Sequence, residues 1–166
     1  MENIKSTISL SLFYLSENVL LMEYSITHDS LLELVKEEVS RVADLAYGED
    51  GTPLYDAIAI YDRDESTIKK MIADASSVVY ERFRDYIISP TSATSSSEVF
   101  NFFLPDMETS QVAVAKNELD RFLSLYIVSL WFQERYVSAY EKYSARATEA
   151  LDKAERALFT RKRVLR

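Results

Sequence analysis

Cysteine is absent from this chain of 166 residues, so no disulfide framework, thiolate nucleophile or cysteine-ligated metal site can be built from it. The lack fits an intracellular life. Histidine is nearly absent too: His28 stands alone, and a histidine-dependent serine or metal site lacks its parts. It reads as a neighbour of a helix cap or as a solvated side chain. Glycine occurs twice, as Gly48 and Gly51, a spacing that matches neither the dinucleotide fingerprint nor the phosphate loop. There is no long hydrophobic run. The strongest, Phe122 to Phe132, is far short of the roughly 20 residues that cross a bilayer, so no membrane partner is expected. At the start, Glu2 and Glu17 flank an Ile8 to Leu15 stretch broken by Ser9 and Ser11, which makes a poor signal peptide.

The acidic run Asp62-Arg63-Asp64-Glu65-Ser66 is superficially a calcium loop. Counting from Asp62, the position that needs glycine holds Thr67 and the one that needs glutamate holds Ala73, so helix capping is the better account. Aspartate and glutamate total 27, so carboxylate pairs are inevitable and none is marked by its surroundings. No catalytic residue, cofactor or metal site is expected, and the reading is of a protein that is not an enzyme.

What the chain does have is apolar bulk. Hydrophobic residues make up 48% and aromatics 12%, well away from the signature of disorder, and the length fits one domain spanning 1–166. Net charge is −8, which opposes general binding to nucleic acid. From Ala154 to Arg166 there are five basic residues and one acid, a local +4, so the rest carries −8 − 4 = −12. Such a basic end suits the acidic flank of another copy, with DNA contact a less favoured alternative. It also suits the negative end of a helix dipole.

Periodicity orders the chain. Ile8, Leu10 and Leu12 alternate as in a strand, while Ile8, Leu12, Leu15, Val19, Met22 and Ile26 follow helical spacing, and the reading leans to helix. Ser30 and Glu33 form a capping-box pair ahead of an apolar face, predicting a helix over 30–46. Gly48, Gly51 and Pro53 then open a loop to Asp62 or Asp64, either of which could cap a helix carrying Ile68, Ile72, Ala75, Val79, Phe83, Tyr86 and Ile87 and ending before Pro90. Residues 89–97, rich in serine and threonine, read as a flexible loop. Val99 to Leu104 reads as a short strand or hairpin near 98–104, whose partner could be residues 6–12, the 52–61 loop or another subunit.

From Asp106 to the end there is neither glycine nor proline. Positions 119, 123, 126, 130, 133, 137, 140, 144, 147, 151, 154 and 158 hold an apolar residue or tyrosine at ten of twelve places, a heptad-like seam. Phe122, Ile127, Val128, Trp131 and Phe132 add apolar faces outside the seam, making this stretch the expected centre of the core. A helix from 112 to 160 would be about 73 Å long, so it must bend, break or project into a neighbour. The expected fold class is all-α, a bundle of four or five helices with a long C-terminal helix. Tyr126 and Tyr140 fall on the seam and should pack. Tyr136 and Tyr143 lie beside it and are interface candidates, together with Phe100 and Phe102 of the strand and Arg161, Lys162, Arg163 and Arg166 of the tail.

The order of features carries a resemblance. A Tyr61-Asp62-Arg63-Asp64-Glu65 turn starts a helix with Ile68, Ile72, Ala75 and Val79; a strand follows a loop; a helix centred on Trp131 leads to Leu158-Phe159-Thr160-Arg161-Lys162-Arg163. Over roughly residues 57–163 this resembles small helical proteins encoded among the structural genes of tailed phages and prophages of gut bacteria, and is similar in outline to phage head-to-tail connector (adaptor) proteins. The long N-terminal segment and the very long last helix depart from that outline. The resemblance implies a ring-forming virion structural protein, self-associating and touching portal or tail components. If the chain is not phage-encoded, the alternative is a bacterial cytoplasmic adaptor or regulator that binds a protein through the stripe from Val137 to Leu158.

Overall fold

The computed structural model describes residues 19–48, 50–88, 96–105 and 107–161. The protein is mostly helical, with four long helices and one two-stranded antiparallel sheet among the described residues, which agrees with a helical bundle carrying a short strand near 98–104, although the second strand makes the all-α class too narrow. Strand β1 runs Val19–Thr27, helix α1 His28–Ala43, helix α2 Glu65–Phe83, strand β2 Ser97–Pro105, helix α3 Val112–Gln133 and helix α4 Val137–Leu158. A single helical turn, Tyr55–Ile58, interrupts the connection between α1 and α2.

Residues 19–27, where helical spacing predicts a helix, instead form β1. Met22, Tyr24 and Ile26 are buried while Leu21, Glu23, Ser25 and Thr27 are exposed, the period of two that a half-buried strand requires. The partner is β2, in the register Met22↔Phe102 and Tyr24↔Phe100. None of the three partners expected for the 98–104 strand is the one found; residues 6–12 lie outside the described residues, as do 89–95 of the expected serine-rich loop.

Helix α1 begins earlier than the Ser30–Glu33 pair suggests. Thr27 is its cap, with Oγ1 accepting from the backbone N–H of Ser30 at 3.2 Å. Its core face is Leu31, Val35, Val39 and Ala43. The following loop turns on Gly51, whose φ of 78° lies where a side chain is strained. Ahead of α2, Asp64 stands at the cap position but its side chain accepts no hydrogen bond from the first turn of α2, which corrects the expected cap; its carboxylate instead accepts from the backbone N–H of Tyr61 at 3.0 Å and closes a 3-10 turn at Asp62–Asp64. Helix α2 ends at Phe83, short of Pro90: Ile88 N–H donates to Asn101 O at 2.8 Å and Phe103 N–H to Tyr86 O at 2.7 Å, which draws residues 86–88 onto β2.

The long C-terminal stretch breaks. Helices α3 and α4 are separated by Glu134-Arg135-Tyr136 and fold back as an antiparallel pair, so that Glu108 N–H at one end donates to Thr160 O at the other at 3.0 Å. Stopping the helix forfeits a few backbone hydrogen bonds worth about 1 kcal/mol each. Folding back buries Ala139, Tyr143, Ala147, Ala150, Leu151, Ala154, Ala157 and Leu158, and a buried leucine alone contributes about 1.5–3 kcal/mol, so burial wins. Helix α3 is the centre of the core, covered on several sides with Leu119, Phe122, Leu123, Ile127, Val128, Trp131 and Phe132 all buried. The Tyr24 hydroxyl ties the sheet to it by donating to Asp120 Oδ1 at 2.7 Å. No helix among the described residues is long and apolar enough to cross a membrane.

Candidate assembly surfaces

The interface candidates divide sharply. Phe100 and Phe102 point into the core, where Phe100 stacks on Tyr24 at 6.1 Å and Phe102 meets Phe83 edge-on at 5.7 Å. Both were expected to face a partner; the in-chain pairing with β1 turns their side of β2 inward and corrects that. Tyr143 is buried as well, its ring against Phe132 at 5.4 Å and its hydroxyl donating to Glu38 Oε1 at 2.9 Å. Burial, then the Glu38 hydrogen bond, pushes its pKa up to about 12. Tyr136 is half-buried at the start of α4, edge-on to Phe132, and Tyr126 and Tyr140 pack partly against the core. Arg161 is exposed beside Met107, and Lys162, Arg163 and Arg166 lie outside the described residues. The Val137–Leu158 stripe is covered by α3 of the same chain, so it is not a surface for a partner helix.

His28 is not solvated. Its Nε2–H donates to Glu98 Oε1 at 3.0 Å and its backbone N–H to Ser96 O at 2.9 Å, joining the start of α1 to the start of β2. Among the described residues no group of three or more His, Asp or Glu is arranged to hold a metal ion.

Two surfaces among the described residues bear on assembly. One is a groove of about 450 Å³ between the end of α1 and the start of α4, lined by Arg41, Val42, Leu45, Tyr136, Lys142 and Arg146. Its floor is the Glu38 carboxylate, shared by Tyr143, Arg146 at 3.2 Å and Arg41 at 3.0 Å, and its rim is Leu45, 81% exposed.

The other is the sheet edge. Asn101 and Phe103 turn their backbone groups toward residues 86–88, so Phe100, Phe102 and Leu104 must turn theirs toward β1. In register, Leu20, Met22 and Tyr24 spend their N–H and C=O groups on β2. Leu21, Glu23 and Ser25 therefore aim theirs away from the sheet, where no described residue bonds to them. Leu21 is 57% exposed beside this row. A row of donors and acceptors without a bonding partner among the described residues, on a nine-residue strand, is a template for another strand. Sequence reasoning missed it because the helical spacing of Val19, Met22 and Ile26 competed with the alternation of Met22, Tyr24 and Ile26 against Glu23, Ser25 and Thr27, which was the signal available. Comparison with protein-family models, with curated proteins and with solved structures finds no match to this chain.

Proposed function

We propose that this protein is a non-enzymatic structural protein that assembles with copies of itself by adding a strand to the open edge of β1. Its place would be in a phage virion, as a head-to-tail connector that contacts portal or tail components. The observation that carries the assembly reading is the row of backbone groups at Leu21, Glu23 and Ser25, left without a bonding partner among the described residues on a strand whose other edge is fully paired. The virion placement rests on the resemblance in the order of the Asp62–Glu65 turn, the α2 helix, the strand and the Trp131 helix. A ring needs two different surfaces on each copy, and the β1 edge supplies one of them.

The test uses the alternation of the edge. Glu23→Pro removes a backbone donor that faces outward and leaves the β1–β2 ladder intact, whereas Tyr24→Pro strikes the ladder itself. Light scattering of the wild type is expected to give an oligomer that Glu23→Pro reduces to a folded monomer with an unchanged thermal transition. A wild type that is monomeric at high concentration, alone and with candidate portal proteins, would overturn the reading. The second reading, an adaptor that docks a partner elsewhere, is favoured by the exposed Leu45 in the α1–α4 groove, and Leu45→Glu separates the two by abolishing partner capture without changing self-association.

A further inference from the structure

We infer that the groove between α1 and α4 docks a short acidic segment of a partner protein, with one apolar side chain against Leu45 and carboxylates against Lys142 and Arg146. This rests on the second reading above, in which the groove takes a partner, and names what that partner presents. It is independent of the β1 edge.

The charged residues lining the groove are Glu38, Arg41, Lys142 and Arg146, a net +2 on a chain of −8, so the rest of the chain carries −8 − 2 = −10. Asp44 and Glu141, neighbours in sequence, do not line it. The three cations are not equally committed. Arg41 is held by Glu38 at 3.0 Å and by Glu37 at 2.6 Å. Arg146 gives one donor to Glu38 at 3.2 Å, and its guanidinium lies 5.1 Å from the centre of the Tyr143 ring. It is therefore fixed in place while most of its five donors stay without a partner among the described residues. Lys142 has neither an ion pair nor a hydrogen bond among the described residues.

Lys142 and Arg146 stand four residues apart on α4, so they are neighbours on one helix face and repel each other. An anion between them turns that repulsion into two attractions. The start of α4 adds to the same field. Tyr136 supplies no side-chain cap, no acid stands in the first turn, and Ser138 and Ala139 of that turn line the groove, where the positive end of the helix dipole is left without a counter-charge.

Apolar contact selects a peptide over a bare polyanion. Leu45, the most exposed large apolar residue among those described, lines the same groove as the partly buried Val42 and Tyr136. Covering it takes an apolar side chain, which a phosphate backbone lacks. A nucleic-acid strand would also bring its charge against the −10 of the body, whereas a short acidic segment meets only the groove. At about 450 Å³ the groove is of the size that holds a small ligand, so the anchor is a few residues and not a whole helix.

The test measures fluorescence anisotropy of the full chain with short labelled peptides of aspartate and glutamate around one leucine, phenylalanine or tryptophan. Peptides with lysine in place of the acids and a single-stranded DNA oligomer are the comparisons. Binding of the acidic peptides is expected, several-fold weaker at high salt and several-fold weaker in Leu45→Ser. Lys142→Glu is expected to lose the preference for acidic over lysine peptides. Both residues are exposed, so neither substitution should move the thermal transition. Acidic peptides that bind Lys142→Glu as well as the wild type would overturn the inference, and so would DNA that binds as tightly as the peptides and is indifferent to Leu45→Ser. Lysine peptides that bind best, and lose binding in Leu45→Ser, would overturn it while leaving the groove a docking site. Binding by neither peptide set would remove the docking reading as well. A wild-type oligomer that Lys142→Glu dissociates in light scattering would make the occupant another copy and overturn a separate partner.

Discussion

The indole N–H of Trp131 donates to the main-chain carbonyl oxygen of Ile58 at 2.6 Å, and both residues are almost wholly buried. This bond pins the connection between α1 and α2, which has little regular structure, to the central helix α3. The guanidinium of Arg135 closes the other side of the ring at 3.6 Å, where the chain leaves α3 for its turn.

Replacing Trp131 by phenylalanine keeps an aromatic in the core and strands the Ile58 carbonyl without its donor. A buried unsatisfied acceptor costs about 1–3 kcal/mol, so Trp131→Phe should lower the urea midpoint by at least that equivalent. Amides of residues 55–60 should lose hydrogen-exchange protection more than those of α4.

Alkaline stability should carry the mark of two tyrosines. Burial and then Asp120 raise the pKa of Tyr24, while burial and then Glu38 raise that of Tyr143 to about 12. A raised pKa means the fold favours the protonated form, so the contribution is whole below the ordinary tyrosine value of 10.0 and is lost as pH climbs through about 12 for Tyr143. Thermal transitions measured across pH 9 to 12 should fall, and Tyr143→Phe should flatten that fall.

The α3–α4 hairpin depends on small residues. Ala154 has no exposed surface and lies between helices that meet along an alanine-rich face. Ala154→Leu forces extra volume into a filled space and should destabilise by about 1–3 kcal/mol in chemical denaturation. Ala145→Leu, on the exposed side of α4, should change stability by less than about 0.5 kcal/mol.

Arg82 on α2 reaches two acids of α4, Asp152 at 2.9 Å and Glu155 at 2.5 Å, at the surface. Exposed ion pairs contribute little, so Arg82→Ala should cost no more than about 1 kcal/mol at low salt and nearly nothing in 1 M sodium chloride.

Features that depend on spacing along the chain are legible in the sequence. The apolar face of α1, the run of Ile68, Ile72, Ala75, Val79 and Phe83 in α2, the strand around Val99–Leu104 and the many-sided burial of Phe122–Phe132 all follow from local periodicity. The helical start at the Asp62–Glu65 turn is legible too, because it spans a few residues, but not that Asp64 turns its carboxylate back to Tyr61 instead of onto the first turn of α2. Features that depend on pairing are not legible in this way. Tyr86 and Ile87 continue the helical spacing of α2 and point to an end at Pro90, yet hydrogen bonds to Asn101 and Phe103 compete for those residues. Phe100 and Phe102 read as interface residues because a strand with no known partner suggests a surface.

The sequence alone therefore determined a helix-rich fold with its centre at Trp131, the lack of cysteine chemistry, and an acidic body with a basic end. Only the tertiary structure decided that β2 pairs with β1, that α3 and α4 double back on each other instead of projecting, and that Leu21, Glu23 and Ser25 turn their backbone groups away from β2. The reason is one of range: side-chain spacing is written within a few residues, whereas which strand meets which is settled by burial between segments some eighty residues apart, and where a helix gains more by breaking than by continuing is settled by how α4 packs back on α3.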